Sequence, residues 1–229
     1  MIECQQLVLG YQEALTPEIN LEIDNNQWIG VIGQNGIGKS TFLKTILGNI
    51  VPYAGSLRIL GDTPGHYNQL VSYIPQEREI NLTERMSGSS LILSSYNGWK
   101  YGLPWFSAKL KQRVASLVEL VGAAEYAHEP FNTLSGGQKK RIYLAQALVN
   151  QPRLLLLDEP LADLDTHAKH HFIESLQQIH QEEQLGLIII SHDMHEIANY
   201  LDGFIHFRRD VVHYCATWEC VREDSYVGL

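Results

Sequence analysis

The run Gly33-Gln34-Asn35-Gly36-Ile37-Gly38-Lys39-Ser40-Thr41 satisfies G-x-x-x-x-G-K-[ST] at every fixed position. Its chemistry is polyphosphate binding. Glycines at 33, 36 and 38 let backbone N–H groups turn inward around phosphate oxygens, and the positive end of a following helix adds to the attraction. Lys39 would reach the outer phosphates, and the Ser40 hydroxyl would ligate Mg²⁺. A second reactive set closes Leu154-Leu155-Leu156-Leu157-Asp158-Glu159, where an apolar run ends in two adjacent carboxylates. These acids can divide the work. Asp158 would hold Mg²⁺, while Glu159 would orient or deprotonate the water that attacks a γ-phosphate.

Leu134-Ser135-Gly136-Gly137-Gln138 supplies a third feature. Ser135 and Gln138 have the S-x-x-Q spacing of a helix capping box, which leaves the paired glycines unexplained. Missing side chains there would let a helix start meet a phosphate closely, with Ile142, Ala145, Leu148 and Val149 forming the packed face behind. One chain therefore carries two anion-binding helix starts.

Elements must hold these groups in place. Trp28–Ile32 reads as an apolar strand entering the glycine loop, and Thr41–Leu47 as the helix leaving it. Ile19, Leu21 and Ile23 alternate with polar residues, and Leu57 and Ile59 flank Arg58, which predicts half-buried antiparallel strands beside the loop. Leu154–Leu157 and Leu187–Ile190 have no alternation, as expected of strands buried on both faces of a parallel sheet. Leu110, Val114, Leu117, Val118 and Val121 share a helix face that Gly122 can close. Phe204–Phe207 and Val211–Tyr214 read as a final strand pair joined by Arg208-Arg209-Asp210.

A chain of 229 residues with 45% hydrophobic composition can bury one substantial core. Its formal net charge of −9 argues against a dedicated nucleic-acid binder. No apolar stretch approaches the ~20 residues needed to span a bilayer, and Met1-Ile2-Glu3-Cys4 lacks a basic start, so a cytosolic protein is expected. Cys4, Cys215 and Cys220 cannot all pair and lack C-x-x-C spacing, which favours three reduced structural thiols. His167, His170 and His171 have helical i, i+3, i+4 spacing, open to a metal or to a solvated face with Lys169 nearby.

With these motifs in this order, nearly the whole chain resembles the ATP-binding subunits of ABC transporters. The resemblance implies an α/β fold: a P-loop nucleotide-binding core with an antiparallel β subdomain and an inserted helical subdomain. It divides one ABC ATPase domain, 1–229, into a core of 1–76 and 149–229 and a helical part of about 77–148. It further implies Mg²⁺-dependent ATP hydrolysis, in a head-to-tail pair where the phosphate loop of one copy and Ser135, Gly136, Gly137 and Gln138 of the other enclose each ATP.

By the same resemblance Gln76 is the residue that approaches Mg²⁺, His192 the switch that senses γ-phosphate, and Asp165 the aspartate that joins the two sites. Asp163 departs from the small residue usual before the final Leu-Asp pair. Tyr11 is similar to the aromatic that stacks on adenine, although a packed tyrosine is the alternative. Trp99, Tyr101, Trp105 and Phe106 fall where the family docks a membrane partner, and either an anchoring groove or core packing accounts for them. The implied partners are a second ATPase subunit, integral membrane permease subunits at the cytoplasmic face and, indirectly, an extracytoplasmic substrate-binding protein. The zinc and manganese importer group looks most similar. The alternatives are siderophore or cobalamin importers and a soluble, non-transport ATPase.

Overall fold

Apolar runs without alternation become the middle of the sheet's parallel part. The computed structural model of the chain describes residues 2–66, 68–76, 86–96 and 107–226. In chain order it contains β1 (Ile2–Val8), β2 (Ile19–Ile23), β3 (Trp28–Gly33), α1 (Lys39–Ile46), β4 (Ala54–Ile59), β5 (Val71–Ile74), α2 (Gly88–Ser95), α3 (Ala108–Leu120) and α4 (Gly136–Leu148). There follow β6 (Leu154–Asp158), α5 (Thr166–Glu183), β7 (Gly186–Ile190), α6 (Met194–Ile197), β8 (Gly203–Phe207), β9 (Val212–Cys215) and α7 (Trp218–Tyr226).

The strands form one sheet in the order β4-β1-β2-β9-β8-β3-β7-β6-β5. Its parallel part, β8-β3-β7-β6-β5, is covered on both faces, and side-chain alternation feeds two separate cores. Leu155, Leu157, Leu187 and Ile189 enter one core with the buried faces of α2 to α5, while Leu154, Leu156, Ile188 and Ile190 enter the other beneath α1. The antiparallel strands β4, β1 and β2 continue the same sheet, joined to β9 through the parallel pair Ile19↔Val212. The expected antiparallel part is thus present as an extension of the nucleotide-binding sheet.

Helix boundaries follow their caps. Ser107 accepts a hydrogen bond from the Leu110 N–H and starts α3; Gly122, at φ +64°, follows its end as the sequence suggested. Residue Lys39 begins α1 ahead of the expected Thr41, because Gly38 takes a left-handed conformation and turns the chain into the helix two residues earlier. The packed face expected behind Leu134–Gln138, the signature segment of the family that the chain resembles, is observed: Ile142, Ala145, Leu148 and Val149 are all buried. Trp99, Tyr101, Trp105 and Phe106 lie outside the described residues.

Candidate functional site

The loop between β3 and α1 needs its glycines for two separate reasons. Gly33 sits at φ +146°, and a Cβ there would come within 2.5 Å of the Phe207 carbonyl oxygen on β8. Gly38 sits at φ +113°, and a Cβ would press on Thr16 at 3.0 Å. Conformation and neighbours therefore exclude side chains where the backbone must stay bare. The Lys39 ammonium donates to the Gly33 carbonyl at 2.7 Å and the Gln34 carbonyl at 3.0 Å. Burial pushes its pKa down, opposed by the Glu159 and Asp158 carboxylates, so an anion in the loop would favour the charged form. Ile37 packs against the core beneath α1.

Asn35, Gly36, Gly38, Lys39, Ser40 and Thr41 share one cleft with Gln76, Asp158, Glu159 and His192. The end of β6 delivers the carboxylates there, at the carboxyl edge of a parallel sheet where ligands bind. The Ser40 hydroxyl donates to Asp158 Oδ1 at 3.4 Å, and the Tyr73 hydroxyl donates to Oδ2 at 3.3 Å. This all-oxygen donor set, with the Gln76 side chain at the same cleft, suits a hard cation such as Mg²⁺.

Glu159 is buried and left-handed at φ +51°, a strained conformation for a residue with a Cβ. Its own N–H donates to the Ile190 carbonyl at 2.9 Å, tying the end of β6 to the end of β7. Its Oε2 accepts from the His192 backbone N–H at 3.1 Å, and its Oε1 lies 3.3 Å from His192 Nε2. The imidazole itself is largely exposed. One backbone turn thus aims an acid into the cleft and holds a histidine at its mouth.

Ser135, Gly136, Gly137 and Gln138 line a different cleft, together with Asp163, Asp165 and His167. The two clefts have no lining residue in common. The capping box is complete: Gln138 N–H donates to Ser135 Oγ at 3.3 Å, and Ser135 N–H donates to Gln138 Oε1 at 2.8 Å. A Cβ on Gly136 would meet nothing within 4 Å, so the packing of this chain does not require glycine there. Asp165 caps α5 by accepting from the Ala168 N–H at 2.8 Å. Tyr11 is 65% exposed on the turn closed by Gly10 and Ala14, which removes core packing as its explanation.

Several participants were invisible in sequence. Tyr73 reaches Asp158 because β5 pairs Tyr73 with Leu156, two residues before the aspartate and on its face of the sheet. Lys140 on α4 donates to the Ala162 carbonyl, bridging the signature helix to the turn after Glu159. Lys169 bonds Asp193 at 2.6 Å and Glu196 at 3.3 Å, which anchors the segment after His192 to α5. His167 and His171 meet edge to face at 4.4 Å, while His170 and His171 contact Glu174.

The cysteine expectation is corrected. Cys215 and Cys220 are joined in a disulfide, because the turn from β9 into α7 brings their Cα atoms to 5.8 Å despite the absence of a C-x-x-C motif. Cys4 is a buried free thiol, and burial pushes its pKa up to about 12.

Comparison with known proteins places this geometry among relatives. The family model described as ABC transporter matches residues 17–162, more than half of the chain. The manganese transport system ATP-binding protein of Synechocystis is 32% identical over 197 residues, covering 85% of this chain and 75% of that protein. The phosphonates import ATP-binding protein of Shigella flexneri is 29% identical over 211 residues, covering 86% and 80%. In fold, the chain is similar to cbiO1 from Clostridium perfringens, part of an ABC transporter complex. That likeness has a TM-score of 0.84 and 23% identity over 99% of this chain and 92% of that one.

Proposed function

This chain belongs to the ABC transporter family, and from that premise we propose that it energises import of a divalent metal ion, zinc or manganese, through separate membrane subunits. It is an ATP-binding, ATP-hydrolysing subunit of that family. The observation that carries the rest is the separation of two phosphate-seeking helix starts into clefts that share no residue. Gly136 also borders a smaller pocket with Gln76 and Glu159, but Ser135, Gly137 and Gln138 open only into the second cleft, away from the Lys39 loop. Two copies arranged head to tail can bring both helix starts to a single triphosphate, and an open Gly136 then has a use that its own chain does not supply.

Within each site the loop backbone and Lys39 would hold the phosphates, and Tyr11 would stack on adenine. Ser40 and Asp158 would hold Mg²⁺, with Gln76 completing its surroundings; the bound ion would neutralise charge on the β- and γ-phosphates. Glu159 would take the proton of the attacking water, and His192, coupled to it by two contacts, would respond to the γ-phosphate. Asp165 would face the partner's site from the start of α5. The subunit would sit at the cytoplasmic face of the membrane on its permease, since among the described residues no helix is long and apolar enough to cross.

The metal cargo is supported by the manganese-transport relative, against which the phosphonate-import relative is nearly as similar. Isolation of the complex decides it. A multi-span membrane protein should co-purify, and vesicles holding the complex should accumulate radiolabelled Mn²⁺ or Zn²⁺ only with ATP; uptake of phosphonate alone would overturn the cargo and leave the ATPase standing.

A further inference from the structure

The hairpin of β8 and β9 lies outside both clefts and concentrates metal-ligand chemistry on one face. His206 and His213 are direct cross-strand partners. Cys215 follows His213 by two residues and so projects from the same face. Their rings and sulfur converge: the imidazole centroids are 5.6 Å apart and His213 Nε2 lies 3.4 Å from Cys215 Sγ. One ligand atom from each of the three lies within 4.8 Å of the others, and among the described residues this is the group so arranged. The face is covered rather than open, since His206 and Cys215 are buried and α7 closes over it with Trp218 against Phe204 at 5.3 Å.

We propose that His206, His213 and Cys215 form a tetrahedral transition-metal site of zinc type that is closed while the Cys215–Cys220 disulfide exists and opens when it is reduced. In a tetrahedral zinc site the edges between nitrogen and sulfur ligands are about 3.3–3.8 Å. The His213–Cys215 approach already has that length, and the remaining edges need only rotamer adjustment. A disulfide sulfur has no thiolate to offer. A dithiol reductant supplies the missing electrons: its thiolate attacks one sulfur of the bridge, the S–S bond breaks, and its second thiol resolves the mixed disulfide. The products are two protein thiols and an oxidised reductant. Metal binding then releases the Cys215 proton to solvent and forms the sulfur–metal bond. Cys220, tethered nearby on α7, can take the fourth position. Either cross-link, disulfide or metal, would pin α7 to the hairpin. The site is independent of the ATPase reading and of the cargo.

Cobalt(II) added to the full chain tests this directly, with zinc competing it out. Reduced protein should bind one equivalent with tetrahedral d–d bands and thiolate-to-cobalt charge transfer, whereas oxidised protein should show neither. Cys220→Ser keeps the Cys215 thiol without a partner and should bind without reductant. His213→Gln, at a half-buried position that should tolerate the change, should weaken affinity at least tenfold, and Cys215→Ser should abolish the charge transfer. His167→Ala/His171→Ala should bind normally. The proposal is overturned by no stoichiometric uptake in the reduced chain, by equal uptake in both redox states, or by uptake unchanged in His213→Gln and Cys215→Ser.

Discussion

Glu159 combines burial, a left-handed backbone and two contacts to His192. A buried carboxylate aimed into this cleft is placed to receive a proton, and its left-handed turn is fixed by the hydrogen bond to Ile190. Glu159→Gln preserves size and most hydrogen bonds while removing the base. Turnover should fall about 10²–10⁴-fold with ATP affinity retained, measured by phosphate release and nucleotide titration. Wild-type turnover in that variant would remove Glu159 from the chemistry. Burial also acts on the Cys4 thiol. Its pKa rises from 9.0 to about 12 on burial, so between these values the folded chain holds a proton that the unfolded chain has lost. The contribution is fully present below pH 9 and declines as pH climbs toward 12, by at most about 1.4 kcal/mol per pH unit. Urea midpoints of wild type should therefore fall relative to Cys4→Ala above pH 9.

The elements that carry the two glycine motifs are built differently. In the phosphate loop the chain crowds its own glycine: a Cβ on Gly33 meets the Phe207 backbone and also requires an unfavourable φ. At the start of α4 the backbone φ of Gly136 is not in the left-handed region and the space around it is open. The same substitution should thus separate fold from function. Gly33→Ala should destabilise the isolated chain by about 1–3 kcal/mol. Gly136→Ala should leave the urea midpoint unchanged, or slightly raised by better helix propensity, and still depress ATPase activity by excluding the opposed phosphate. Equal loss of stability in both would mean that Gly136 serves packing within its own chain.

For the whole molecule, the proposed head-to-tail pair would give each chain half of two sites. The Lys39 cleft and the Ser135–Gln138 groove have no lining residue in common, and on the proposed reading productive closure would take a second copy or an equivalent subunit. Mass action then predicts that activity per chain rises with protein concentration until the pair is saturated, and that it rises again on assembly with the membrane partners. A strictly constant specific activity across a hundredfold dilution would mean that one chain suffices. Motion between such halves would be felt at α5, whose Asp165 lines the signature groove and whose Lys169 grips the segment after His192.

Local rules made much of this protein legible from its residues alone. The phosphate loop, the buried strands ending in Asp158 and Glu159, and the capping box at Ser135 each depend on spacing within a few residues, where backbone geometry is fixed by residue type. Three of the five adjacent parallel strands, β3, β6 and β7, follow from unbroken apolar runs, for the same reason. What sequence spacing does not contain is which distant strands become neighbours. Tyr73 meets Asp158 only through the register of β5 on β6, and Lys169 meets Asp193 only because α5 packs beside the chain after β7. The Cys215–Cys220 bridge and the His206–His213 pairing likewise arise from a hairpin and a covering helix. The separation of the two clefts belongs to tertiary structure as well, because it is set by where long-range packing puts α4 relative to the edge of the sheet.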